Sequence, residues 1–148
     1  MLTETLNQLF QRDLEKLKSE INLYQKEENL WLTTANISNS AGNLCLHLVG
    51  NLNAFIGAAL GKTNYIRHRD LEFSLKNIPK AELTTRIENT MKVVEASLNG
   101  LSESRLSEDF PIKVFQEKTS TGYMLFHLTT HLAYHLGQIN YHRRLLDN

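Results

Sequence analysis

Residues 121–146 read TGYMLFHLTTHLAYHLGQINYHRRLL and hold four of the six histidines of the chain. His127, His131 and His135 recur every four residues, and His142 follows seven later. Four residues overshoot one helical turn by about 40°, so the four imidazoles fall within an arc of about 80°. Leu128, Leu132, Leu136 and Ile139 form an apolar stripe beside that arc. The spacing predicts a long helix that buries its leucines and carries its histidines along the margin of the buried face. His131 and His135 stand at i and i+4, with Cβ atoms about 5–6 Å apart. Two imidazoles at that separation can close on one metal ion at about 2.0–2.1 Å each. A helical histidine pair taken alone is an ordinary surface or core feature. A metal reading requires a third ligand from elsewhere in the chain.

Working outward, the whole sequence has 148 residues, which suits a single domain spanning 1–148 with its own core. Sixteen Lys and Arg balance sixteen Asp and Glu, so no sequence-wide charge draws the chain to nucleic acid or to anionic membranes. No apolar run approaches the roughly 20 residues needed to span a bilayer. The opening MLTETLNQLFQRDLEKLK mixes acids and bases and lacks the apolar segment of a signal peptide. Cys45 is the only cysteine, which excludes an internal disulfide and fits a reducing compartment. A cytoplasmic location is the expectation.

Three further amphipathic helices are legible. Leu2, Leu6, Leu9, Phe10, Leu14, Leu17, Ile21 and Tyr24 repeat at spacings of three and four and predict a first helix to about Glu28. Asn39 or Ser40 can cap a second, running to about Leu60, with Leu44, Leu48, Leu52, Phe55, Ile56 and Ala59 on one face and Gly61 as its terminator. Pro79 opens a third, whose apolar face is Leu83, Ile87, Met91, Val94, Leu98 and Leu101. Thr119–Thr121 caps the histidine helix. Residues 62–77 and 102–118 are long irregular links, the second with an apolar patch at Ile112, Val114 and Phe115. Links of this length are often functional. Four such helices predict an all-α four-helix bundle with long crossover connections.

His47, in NLCLHLVGNLNAFIGAAL, sits about 60° from Leu44 on the margin of the second helix's buried face. Asn51, Ala54 and Ala58 continue its strip and leave space. The plain alternative is a histidine facing water at a bundle edge. Cys45 is turned about 160° away and reads as a small buried hydrophobe.

HLTTHLAYHLGQINYHRRLL, with His47 in an earlier helix, resembles the DinB-like superfamily of bacterial four-helix bundles. His131, His135, Gly137 and Gln138 fall where that superfamily has its H-x-x-x-H and the following Gly-Gln. The linker YIRHRDLEF and the ending NYHRRLL look like one branch of it, a domain family of unknown function. The resemblance covers essentially the whole chain. It implies a divalent metal, nickel or zinc, held by His47, His131 and His135. His127 falls at a position often histidine in related sequences and is placed as a supporting or cavity-lining residue, with Asn51, Tyr134 and Gln138 as further candidates. His142 lies about 10 Å beyond His135 along the helix axis, too far to share the ion. The resemblance also implies a homodimer, since related bundles often pair through exposed helix faces.

Three neutral histidines leave an ion one open position, as in catalytic zinc sites. Leu132 follows His131, so the H-E-x-x-H protease motif, with its glutamate base, is absent. Some DinB-like relatives are thiol-dependent S-transferases, which implies a small-molecule substrate and a low-molecular-weight thiol cosubstrate. Arg67 and Arg69 are candidates to bind the carboxylates of either one. The plain alternative for them is a solvated loop with Asp70 and Glu72 as local partners. The second functional reading is a non-catalytic, metal-stabilised bundle serving as a stress-response or interaction module.

Overall fold

Apolar residues at spacings of three and four dictate four long helices. The computed structural model of the chain, covering residues 1–148, contains them and adds a short one. The helices are α1 (Leu2–Leu23), α2 (Ala41–Leu52), α3 (Arg69–Ser74), α4 (Lys80–Asn99) and α5 (Thr121–Leu146). The fold is an all-α bundle, and no helix is long and apolar enough to cross a membrane.

α1 buries Leu6, Phe10, Leu14, Leu17 and Ile21 and ends at Leu23, earlier than the periodicity predicts. The cause is long-range. The Tyr24 hydroxyl is drawn inward to His142 Nδ1 at 2.6 Å, while Asp147 accepts from the amides of Gln25 and Lys26 at 2.7 and 3.2 Å. These contacts bend the chain into a 3-10 turn over Glu27–Trp31.

Ser40 caps α2, its Oγ accepting from the Asn43 amide at 3.2 Å. The sequence predicts one apolar face for this helix, but every residue from Ala41 to Leu52 is buried. Leu46 and Val49 lie off that face, and a helix apolar on all sides needs a cover all round. α3 and its flanking link supply the cover, packing along α2. A π-helical turn, Asn53–Ala58, continues α2, with Asn53 Nδ2 donating to Val49 O at 2.8 Å and to Thr90 Oγ1 at 2.9 Å. The left-handed residue that follows is Lys62 (φ 55°), not the predicted Gly61. Gly61 has a different task, because a Cβ there would stand 2.1 Å from Ser97 Oγ.

Pro79 caps α4 from just outside instead of occupying its first turn. Leu83, Ile87, Val94 and Leu98 are buried beneath it. Ser120 caps α5, Oγ accepting from the Tyr123 amide at 3.0 Å. α1 and α2 each pack along both α4 and α5 but scarcely touch each other, so they stand diagonally across the bundle. The link between them therefore crosses the bundle end. The resulting contact of α2 with α5 positions the site.

Candidate metal centre

His47 projects from α2 toward α5, where His131 and His135 lie one turn apart. His131 Nε2 is 3.2 Å from His47 Nε2 and 3.2 Å from His135 Nε2. The three potential ligand atoms all lie within 4.8 Å of one another, so the group could hold a metal ion. Bonds of about 2.0–2.1 Å to a tetrahedral ion set its donor nitrogens about 3.3–3.4 Å apart, close to the two short separations here.

The protonation pattern fits as well. His47 Nδ1 faces Glu72 Oε1 at 3.0 Å, and His135 Nδ1 faces Gln138 Oε1 at 2.7 Å. Both oxygens accept, so each histidine carries its proton on Nδ1 and turns the Nε2 lone pair inward. Burial, with the charges of His135 and His47 adding to it, pushes His131 down to about 4. Burial also lowers His135 against the opposing bond from Gln138. Both are therefore neutral at pH 7, the state a metal ligand needs.

Glu72, which the sequence marks only as a local charge partner of the link, joins the centre. It stands on α3, only 6% exposed. Burial alone would raise its carboxyl, but the bonds from His47 and Arg67 and their charges outweigh it and hold the group below its ordinary value. Arg67 grips both oxygens, Nε to Oε2 and Nη2 to Oε1, each at 2.9 Å, and lies 5.6 Å over the Phe55 ring. Its guanidinium is thus committed within the chain, whereas the exposed Arg69 lies 5.3 Å over the Phe73 ring. No periodic signal marks Glu72, and only the unusual length of its link pointed to the region.

The remaining candidates are scattered around the triad. His127 is half-buried, its ring 6.2 Å from that of His131 and edge-on to Phe115 at 5.0 Å. Tyr134 is 65% exposed, with its ring 5.3 Å from His135. Asn51, one turn beyond His47, is buried with Oδ1 lacking a partner. His142 departs from the marginal arc expected for it. It is 2% exposed, bonded through Nδ1 to the Tyr24 hydroxyl and through Nε2 to Leu32 O at 2.8 Å. Cys45 is fully buried, its thiol pushed up to about 12 by burial, and is inert.

Fold and site together define a helical bundle with a three-histidine centre between two of its helices. Residues 2–148 match the family described as "Protein of unknown function (DUF1572)", and the chain belongs to that family. No curated protein matches it. Among solved structures it is similar to the "conserved protein of locus from Enterococcus faecalis", at 15% identity with a TM-score of 0.78, over 99% of this chain and 97% of that one. At that identity the likeness speaks for the fold alone.

Proposed function

We propose that this chain is a DinB-like divalent-metal protein, and that its three-histidine centre serves a thiol-dependent transferase acting on a small molecule. The observation that carries the metal reading is the convergence of three Nε2 atoms, with two Nδ1 protons fixed by Glu72 and Gln138. A divalent ion held there, nickel or zinc, would supply a Lewis-acidic open position that acidifies a bound thiol or water.

The chain's own residues divide the remaining tasks. Glu72 is saturated by His47 and Arg67 and is not a free base. His127, one turn before His131, is the nearest imidazole outside the triad on α5 and is the candidate to accept a proton there. A cleft of ≈ 330 Å³ opens beside Gln138, lined also by Asn36, Asn39, Tyr141 and Leu145. That volume is at the lower end of small-molecule sites, about 300–1,000 Å³. Its lining has no carboxylate, lysine or arginine, and it meets the centre only through Gln138, since none of the three histidines lines it.

The test uses protein purified without a histidine tag and loaded with cobalt. A small thiol or azide is expected to shift the visible spectrum, and thiols with electrophiles should then show turnover. A spectrum that no added ligand moves would mean a closed centre and would favour the non-catalytic bundle.

The proposal places the protein in the cytoplasm as a homodimer. Tyr123, Phe126, Tyr134, Tyr141 and Leu145 leave an exposed apolar stripe on α5, of the kind that marks contact surfaces. Light scattering at micromolar concentration should give the mass of two chains, and a single-chain mass would contradict this.

A further inference from the structure

α3 buries a carboxylate and exposes a leucine. Leu71 is 42% exposed while its neighbour Glu72 is 6% exposed. A six-residue helix that turns a leucine to solvent and a carboxylate to the core violates the usual burial preference, and such violations mark positions held for function.

Several contacts hold Glu72 and its helix in place. Its backbone carbonyl and that of Leu75 accept from Asn43 Nδ2 at 2.9 and 2.8 Å. Asn43 is fixed in turn, its Oδ1 accepting from Ser40 Oγ at 2.7 Å and from Lys76 Nζ. Arg67 neutralises the carboxylate through two bonds. Phe73, the next residue, packs its ring 5.0 Å from that of His47. The carboxylate itself lies in a notch on α2 at Gly50. A Cβ at that position would stand 1.9 Å from Glu72 Oε2 and 2.6 Å from its Cδ, so no residue but glycine admits the side chain as it lies. Gly50 follows His47 by three residues, on the same side of the helix. Notch and backbone clamp present Oε1 to His47 Nδ1 at 3.0 Å, while Arg67 balances the charge.

A stapled loop would need only the Arg67 pair, which could form on the surface. The geometry points to more. We infer that Glu72 is the positioning residue of the centre, seated in the Gly50 notch to hold His47 as the Nδ1–H tautomer and to strengthen its Nε2 as a donor. The inference rests on the metal reading above. Carboxylates that accept from the far nitrogen of a metal-bound histidine typically contribute 10–100-fold in metal affinity.

Zinc alone is the probe, titrated against a chromophoric chelator, with folding checked by circular dichroism. Glu72→Leu, which removes the acceptor, should weaken zinc binding about 10–100-fold. Glu72→Gln keeps an acceptor oxygen and should recover part of that loss. Arg67→Met leaves the carboxylate on His47 and should change zinc affinity far less than Glu72→Leu, although it loosens the link. Gly50→Ala forces the carboxylate to shift from its place while retaining it in the sequence, and should also weaken zinc binding. This last variant keeps the test open if Glu72→Leu fails to fold. Unchanged zinc affinity in Glu72→Leu or Gly50→Ala would reduce Glu72 to a staple of the link. Equal losses in Arg67→Met and Glu72→Leu would assign the effect to docking of the link as a whole. Failure of the unaltered chain to bind zinc would instead sink the metal reading itself.

Discussion

His131→Ala is expected to abolish stoichiometric metal binding while leaving the chain folded. His131 is the shared member of the triad, the one whose Nε2 lies 3.2 Å from both others. Apparent zinc-binding energies of about 10–16 kcal/mol spread over four ligands give roughly 2.5–4 kcal/mol per ligand. Losing one then weakens binding by several hundred-fold, on the order of 10²–10³. The fold should tolerate the change, because the side chain is only half-buried and its Nδ1 is a buried nitrogen with no partner. His127→Ala, one turn away, serves as the control and should retain full occupancy. Metal analysis after dialysis against a weak chelator gives the readout. Full occupancy in His131→Ala would remove α5's central histidine from the centre and with it the proposed ligand set.

The helix-borne part of this site was legible because helices repeat. His131 and His135 at i and i+4 must share a face, and His47 stood at the margin of a second apolar stripe. The structure brings potential ligand atoms of all three within 4.8 Å of one another. What periodicity could not show are pairings between residues far apart in sequence that share no element. Glu72 reaches His47 from a link with no repeat, through a notch visible only once Gly50 and α3 are apposed. The sequence offers Glu72 as a local partner of Arg67 but gives no sign that the pair is buried. The same blindness explains the early end of α1. Its heptad-like pattern continues to Tyr24, yet contacts from residues 142 and 147 redirect the chain there. It also explains α2, whose off-face Leu46 and Val49 signalled a cover that a four-helix count does not supply.

His142→Ala should destabilise the chain strongly and leave metal binding intact. In the fold, Nε2–H donates to Leu32 O at 2.8 Å, and Nδ1 accepts from the Tyr24 hydroxyl at 2.6 Å. Burial pushes the Tyr24 phenol up, so it stays protonated and able to donate. Removing the imidazole strands that hydroxyl in the core, at about 1–3 kcal/mol, and leaves a cavity besides. The exposed Leu32 segment can turn its carbonyl to water, so the total is about 3 kcal/mol, or a fall of about 10 °C in melting temperature. The pH dependence separates this cause from simple loss of packing. Burial lowers the pKa of His142 in the fold, against the opposing bond to Leu32 O. Above about 6.5 both folded and unfolded chains hold it neutral, and its contribution is complete. Below that value the unfolded chain takes up a proton that the folded chain refuses, so stability falls by up to about 1.4 kcal/mol per pH unit until the folded group also protonates. His131 and His135 shift in the same direction but occur in both proteins, so their effect cancels in the comparison. The stability gap between the metal-free chain and its His142→Ala variant should therefore be widest near pH 7.5 and narrow toward pH 5. Urea unfolding at a series of pH values measures it directly. A gap that stays constant or widens on acidification would mean that His142 is held by something other than its neutral, doubly bonded form.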